Sequence, residues 1–259
     1  MAQRDGVVER LRAAGCVFAE EEAELLRADA AAAGRLEEMV RQREEGWPLE
    51  QVLGWAELAG VRVGVCRDVF VPRRRSELLV REAVSRIAPY ERAVLLDLCC
   101  GCGAVGVAVA ALHGSVELHA AELDAASAAC ARGNVVPRGG AVHEGDLYDA
   151  LPGSLRGRVD LLVANAPYVP SEELAFMPVE ARQHEPRIAL DGGADGVEVQ
   201  RRVVAGAGEW LAPAGHLLVE TSARQAPLTV VAFERAGFLA RTVSDDDLGA
   251  TVVMGVLGA

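Results

Sequence analysis

No stretch of this 259-residue chain reaches the roughly 18 consecutive apolar residues that a membrane helix needs, so no membrane partner is expected. The N-terminal MAQRDGVVERLRAAG is charged and has no apolar secretory run, which points to a cytoplasmic location. There the six cysteines, Cys16, Cys66, Cys99, Cys100, Cys102 and Cys130, are expected to be reduced thiols rather than a disulfide framework. Basic charge is scarce as well: 26 Lys and Arg stand against 38 Asp and Glu, a net charge of −12. Nucleic-acid binders present a broad positive field, so DNA or RNA is disfavoured as a direct partner. The one local exception, Arg73-Arg74-Arg75, reads as a solvated loop or as a contact for an acidic partner. No internal repeat is present, which excludes a solenoid. Cys99 and Cys102 form a C-x-x-C pair, but no second pair of ligands exists elsewhere, so no metal is expected. They read as small turn residues, and Cys102, near a helix start, is expected to have a lowered pKa.

What is present is an ordinary globular balance, 51% apolar and 25% charged, in a length that suits one medium α/β domain with a small appendage. From Val7 to about Glu45 the apolar residues fall at helical spacing, and Ala30 to Ala33 favours helix. Trp47 to Arg75 then brings Gly, Pro and β-branched residues that suggest a hairpin or an irregular linker. Residues 1–70 are therefore expected to form a helical cap with a linker hairpin, and residues 71–259 a second domain. In the latter, AVLLDL, VELHAA, AVHEG, VDLLVAN and GHLLVE alternate with helical stretches, the pattern of a doubly wound parallel sheet. FLARTV and TVVMGVL are joined by the polar SDDDLGA, and a hairpin there places an antiparallel strand in that sheet.

The first strand runs into Cys99-Cys100-Gly101-Cys102-Gly103, a turn of small residues ahead of a helix, where backbone can approach a ligand closely. About 20 positions on, at the end of the next strand, Glu122 is placed to accept hydrogen bonds from both hydroxyls of a ribose. A nicotinamide dinucleotide would use a similar pattern, so the details decide. Asp97, two residues before the turn, suits a ligand with a positive amino group, such as the methionine part of S-adenosylmethionine, and would repel a pyrophosphate. After the third strand, Asp146 can grip an adenine amino group while Leu147 covers its ring. Three acids at three strand ends favour the methyl donor.

The fourth strand ends in Asn165-Ala166-Pro167-Tyr168. The Asn165 amide oxygen and the Ala166 carbonyl can accept the two hydrogens of a substrate NH2 group, while Pro167 and Tyr168 shape a slot for a flat amide or base. An ordinary strand-to-loop turn would look the same from sequence. His184, beside Glu185-Pro186, is the histidine in a position to meet an acceptor.

Over nearly its whole length the chain resembles the release-factor glutamine N(5)-methyltransferases, the PrmC/HemK family. The resemblance is carried by PLEQVLGWAEL, VFVPRRRSELLV, DLCCGCGAVGVAVA, GDLYDALPG, VDLLVANAPYVP and, most specifically, EPRIALDGGADGVEVQRRV. It implies a class I S-adenosylmethionine methyltransferase fold, with S-adenosylhomocysteine as the spent cofactor. It also implies an acceptor glutamine in the Gly-Gly-Gln loop of a peptide chain release factor. On this resemblance Asn165, Ala166 and Tyr168 hold the glutamine amide, Glu122 the ribose and Asp146 the adenine end. Arg73 and Glu77, in Pro72-Arg73-Arg74-Arg75-Ser76-Glu77, and His184-Glu185-Pro186 flank the acceptor, and the cap helps to receive it. Three positions differ from the family pattern: Ala166 replaces a proline, Cys99 a glycine, and Arg74-Arg75 a Pro-Asp pair. A metabolite amide, amine or guanidine acceptor, and a binding protein without turnover, are the rival readings.

Overall fold

The computed structural model describes residues 2–30 and 34–258; Ala31, Ala32 and Ala33, part of the alanine-rich stretch expected to be helical, lie outside the described residues. Four helices come first, α1 (Ala2–Ala13), α2 (Ala19–Ala30), α3 (Leu36–Glu44) and the short α4 (Leu49–Leu53). Their apolar faces meet in a small core around Leu11, Ala23, Leu26, Met39 and Val40. Gly54, at φ 81°, ends α4 in the left-handed conformation that glycine adopts at little cost. It turns the chain into an antiparallel hairpin of β1 (Trp55–Leu58) and β2 (Val61–Gly64). This hairpin, grouped with the cap from sequence, buries Ala56, Leu58 and Val63 in the large core rather than the small one.

The remaining elements are α5 (Glu77–Ile87), β3 (Ala93–Leu98), α6 (Ala104–His113), β4 (Val116–Glu122), α7 (Ala125–Val135), β5 (Ala141–Glu144), β6 (Val159–Ala164), α8 (Val179–His184), α9 (Glu198–Ala207), β7 (Leu211–Thr221), α10 (Ala226–Arg235), β8 (Phe238–Asp245) and β9 (Ala250–Leu257). The strands form a seven-stranded sheet in the order β5-β4-β3-β6-β7-β9-β8. It is parallel except at β9, which lies antiparallel between β7 and β8. β3 and β6 read as near-continuous apolar runs because helices cover both faces, with separate cores on each side of the sheet. Chain order reverses between β3 and β6, and a ligand crevice forms at such a switch point, at the carboxyl ends of the strands. No helix among the described residues is long and apolar enough to cross a membrane.

Candidate active site

A cleft of about 960 Å³ opens at that switch point, lined by Asp97, Cys99, Gly101, Glu122, Asp146, Leu147, Asn165 and Pro167 among others. Asp97 is the penultimate residue of β3, is 2% exposed, and accepts a hydrogen bond from Gly106 N–H of α6 at 2.8 Å. Burial pushes its carboxyl up to about 7; the Gly106 bond opposes this and nearby Glu122 adds to it. At neutral pH such a carboxyl is only partly ionised, and a cation beside it would complete the ionisation. Glu122 ends β4, and its Oε2 takes the Gly101 N–H at 2.8 Å while its Oε1 takes the Asp124 N–H at 3.0 Å. Each oxygen keeps a lone pair for a hydroxyl of a ligand.

The turn is left-handed at Cys99 (φ 54°), Gly101 (φ 57°) and Gly103 (φ 81°). A Cβ at Gly101 would meet nothing within 4 Å, whereas one at Gly103 would press to 2.9 Å on Val135 of α7, so Gly103 serves the packing behind the turn. Cys99 adopts a conformation that costs an L-residue roughly 1–2 kcal/mol, and it lines the cleft, narrowing it. Cys102 corrects its sequence expectation: it is buried, and desolvation pushes its thiol up to about 12 rather than down. Asn134 of α7, unmarked in sequence, clamps the turn by donating to the carbonyls of Cys102 (2.9 Å) and Gly64 (2.8 Å). Asp146 lines the cleft while its Oδ2 accepts from Arg202 at 2.7 Å, a partner that sequence reasoning missed. Three carboxylates around an open turn fit a cationic, ribose-bearing ligand and oppose a pyrophosphate.

A second pocket of about 350 Å³ shares Phe70, Asn165, Pro167 and Ala189 with the first and adds Arg73, Arg75, Ala166, Tyr168 and Met177. Asn165 Nδ2 donates to Ser76 Oγ at 3.2 Å. The register of β6 on β7 pairs Ala164 with Val219, so Asn165 and Glu220 follow side by side. Glu220 is 1% exposed, takes the Tyr168 hydroxyl at 3.4 Å and pairs with Arg75 at 3.5 Å. Burial pushes its carboxyl above the ordinary range, and Ser76, Arg75 and Tyr168 draw it back. Burial also raises the Tyr168 phenol, so Tyr168 stays protonated at neutral pH. Glu220 could have been found by the rule that picked Asp97 and Glu122, since it too is an acid at a strand end.

The block EPRIALDGGADGVEVQ builds the wall behind this pocket. Val169 bridges to Asp191, and Gln225 Nε2 donates to the carbonyls of Tyr168 (2.7 Å) and Asp195 (3.0 Å). A Cβ at Gly192 would come within 2.7 Å of Tyr168 Cα, and one at Gly196 within 2.5 Å of Tyr168 O, so only glycine lets the loop lie against that backbone.

Four residues expected at the acceptor, Glu77, His184, Glu185 and Pro186, line neither pocket. Glu77 opens α5, where an acid suits the helix dipole. The His184 ring lies on Trp47 with centroids 4.1 Å apart, and Gln51 Nε2 donates to its carbonyl at 3.0 Å. Glu185 is buried and pairs with Arg73. Pro186 precedes the short helical turn Arg187–Ala189. His184 and Glu185 thereby tie the loop to the cap and to the segment before α5.

Fold and cleft together are those of a class I S-adenosylmethionine-dependent methyltransferase. Residues 74–181 match the family model described as Methyltransferase small domain. A methyltransferase from Pyrococcus furiosus shares the fold at a TM-score of 0.56 and 13% identity, over 78% of this chain and 91% of that one. The release factor glutamine methyltransferase of Geobacter sulfurreducens is 36% identical over 84% of this chain and 75% of its own length, and the chain belongs to that family. A 4-amino-L-phenylalanine/4-methylamino-L-phenylalanine methyltransferase of Streptomyces pristinaespiralis is 34% identical over 76% of this chain and 69% of its own.

Proposed function

We propose that the chain methylates the side-chain amide nitrogen of a glutamine in a protein, the Gly-Gly-Gln loop of a peptide chain release factor. The observation that carries this reading is the position of Asn165 and Pro167, which line both the three-carboxylate cleft and the second pocket. Bound S-adenosylmethionine supplies an electrophilic methyl on a sulfonium sulfur. Asp97 meets the amino group of that cofactor, Glu122 its ribose, and Asp146 with Leu147 its adenine.

An amide nitrogen is a poor nucleophile because its lone pair is delocalised into the carbonyl. Asn165 Oδ1 and the Ala166 carbonyl accept its two N–H groups and favour a nitrogen that has left planarity. They also hold it in line for attack, an effect worth up to about 7–11 kcal/mol. Burial in a pocket walled by Phe70 and Tyr168 keeps water from competing for those hydrogens. The helical cap receives the protein acceptor through the loop it grips at Trp47 and Gln51. Deleting residues 1–53 is expected to leave cofactor affinity within about threefold and to raise KM for the protein acceptor; unchanged KM removes the cap's role. The cut stops short of the hairpin because the hairpin lies in the large core.

A second reading has one specific observation behind it. Arg75 brings a guanidinium to the second pocket, where it could pair with the carboxylate of an amino-acid acceptor, and one relative is named for such a substrate. Incubation with radiolabelled cofactor and either release factors or aromatic amino acids separates the two. Label on the glutamine of Gly-Gly-Gln, mapped by mass spectrometry, supports the first reading. Label on the free amine alone overturns it.

A further inference from the structure

We propose that Ser76 and Glu220 are positioning residues that fix which end of the Asn165 amide faces the acceptor. The inference rests on the reading above, in which Asn165 binds the acceptor N–H.

An asparagine amide has nearly the same shape when flipped, yet one end accepts and the other donates. Only the Oδ1-outward form can hold an NH2 group; the flipped form would present hydrogens to hydrogens. The neighbour that decides is Ser76, whose Oγ lies 3.2 Å from Asn165 Nδ2. A hydroxyl can accept or donate, so its own hydrogen must be committed elsewhere before it can impose a direction.

Three features point that hydrogen toward Glu220. Ser76 immediately precedes α5, a place where serine ordinarily caps a helix, yet its side chain makes no capping bond. Its backbone is already helical, since the turn Arg74–Ser76 runs straight into α5, so the hydroxyl is released from capping. Beside it stands Glu220, whose Oε2 is buried without a hydrogen-bond partner among the described residues. A buried carboxylate oxygen without a donor is costly, and the Ser76 hydroxyl, which already helps to stabilise the Glu220 carboxylate, is the neighbour that a small shift would make its donor. Once the hydroxyl donates to Glu220, Ser76 Oγ offers only lone pairs to Asn165. Nδ2 must then face Ser76, and Oδ1 must face the pocket. Arg75, paired with Glu220 Oε1, opposes the effect of burial and favours the ionised carboxylate, which cannot donate back.

The test compares Ser76→Ala, Ser76→Thr, Glu220→Gln and Asn165→Ala in the full chain with a release factor, measuring kcat, cofactor affinity and melting temperature. Ser76→Ala and Glu220→Gln are expected to lower kcat by at least about tenfold, less than loss of the oriented group itself. Cofactor affinity and melting temperature should hold. Ser76→Thr keeps the hydroxyl and should stay within about threefold of the parent rate. The proposal is overturned if Ser76→Ala and Glu220→Gln keep full kcat while Asn165→Ala is inactive. A kcat loss matched by equal losses in cofactor affinity or melting temperature also overturns it, since that marks a packing role. Full activity in Asn165→Ala removes the amide-orienting reading beneath it.

Discussion

Around Asp97 and Glu122 the site is made of strand ends and backbone N–H groups, whereas around Asn165 it is made of side chains from three distant segments packed against the glycine backbone of a fourth. The first half depends on spacing: β3, β4 and β5 run parallel, so each carboxylate arrives at the same edge by registry. The second depends on contacts between Ser76, Asn165, Glu220 and the glycine wall at Gly192 and Gly196, which no local pattern specifies. A half built from registry tolerates exchange of small residues such as Cys99 in its turn. A half built from interlocked polar side chains should fail sharply when one member is lost.

The largest expected effect is therefore in the second half. Asn165→Ala should lower kcat by ~10²–10³, as loss of an oriented transition-state hydrogen bond does elsewhere, with cofactor affinity intact by calorimetry. A parent-like rate would abolish the contrast. In the first half, Glu122→Ala should weaken cofactor binding about 10- to 100-fold, from the roughly 1.5–3 kcal/mol of a charge-assisted hydrogen bond. It also frees the Gly101 and Asp124 N–H groups, so Glu122→Gln, which keeps one acceptor oxygen, should lose less. Equal affinities in Glu122→Ala and the parent would remove the ribose assignment.

That division also explains what could be read from the sequence. The sheet was legible because apolar runs alternate with helical stretches, and the terminal hairpin because SDDDLGA is too short for a crossover. Asp97, Glu122 and Asp146 were legible as acids at strand ends, and all three line the cleft. Glu220 obeys the same rule but stood in no recognised motif. Glu185 opens the most specific signature and His184 stands just before it; both were assigned to the acceptor, yet they line neither pocket and contact Arg73 and Trp47 instead, since specificity in a loop records packing as readily as contact. Cys102 misled for a related reason: a helix start lowers a thiol's pKa only if the thiolate is solvated, and here it is buried.

A smaller effect concerns pH. The folded-state value of Asp97, about 7, lies above its ordinary 3.8, so the native chain binds a proton that the unfolded chain has released. Its contribution to stability is present below about pH 4 and is lost as pH rises through about 7. Asp97→Asn has no charge to desolvate. It should melt higher than the parent at about pH 8 without cofactor, at roughly 2–4 °C per kcal/mol, with the gap closing towards about pH 5. S-adenosylmethionine should raise the parent's melting temperature more than the variant's. Parallel melting profiles across that range would mean that Asp97 is not the group whose charge the cofactor neutralises.

The smallest effect is expected at Ala166, where a gain and a cost nearly cancel. Restoring the family's proline fixes φ at the residue whose carbonyl is proposed to hold the acceptor, a gain of about 0.4–1 kcal/mol at a compatible site, or roughly two- to fivefold in rate if it falls on positioning. Part of that gain is already taken, because Pro167 restricts Ala166 to extended conformations. Against it, Ala166 is fully buried in the core shared with Leu96, Leu98 and Val219, and a larger ring there must displace its neighbours. Ala166→Pro should therefore change kcat on a glutamine acceptor by less than about fivefold, in either direction. A drop well beyond tenfold, with cofactor affinity and melting temperature preserved, would mean that the space beside Ala166 is occupied by the acceptor. The amino-acid substrate suggested by Arg75 would then displace glutamine as the reading of the site.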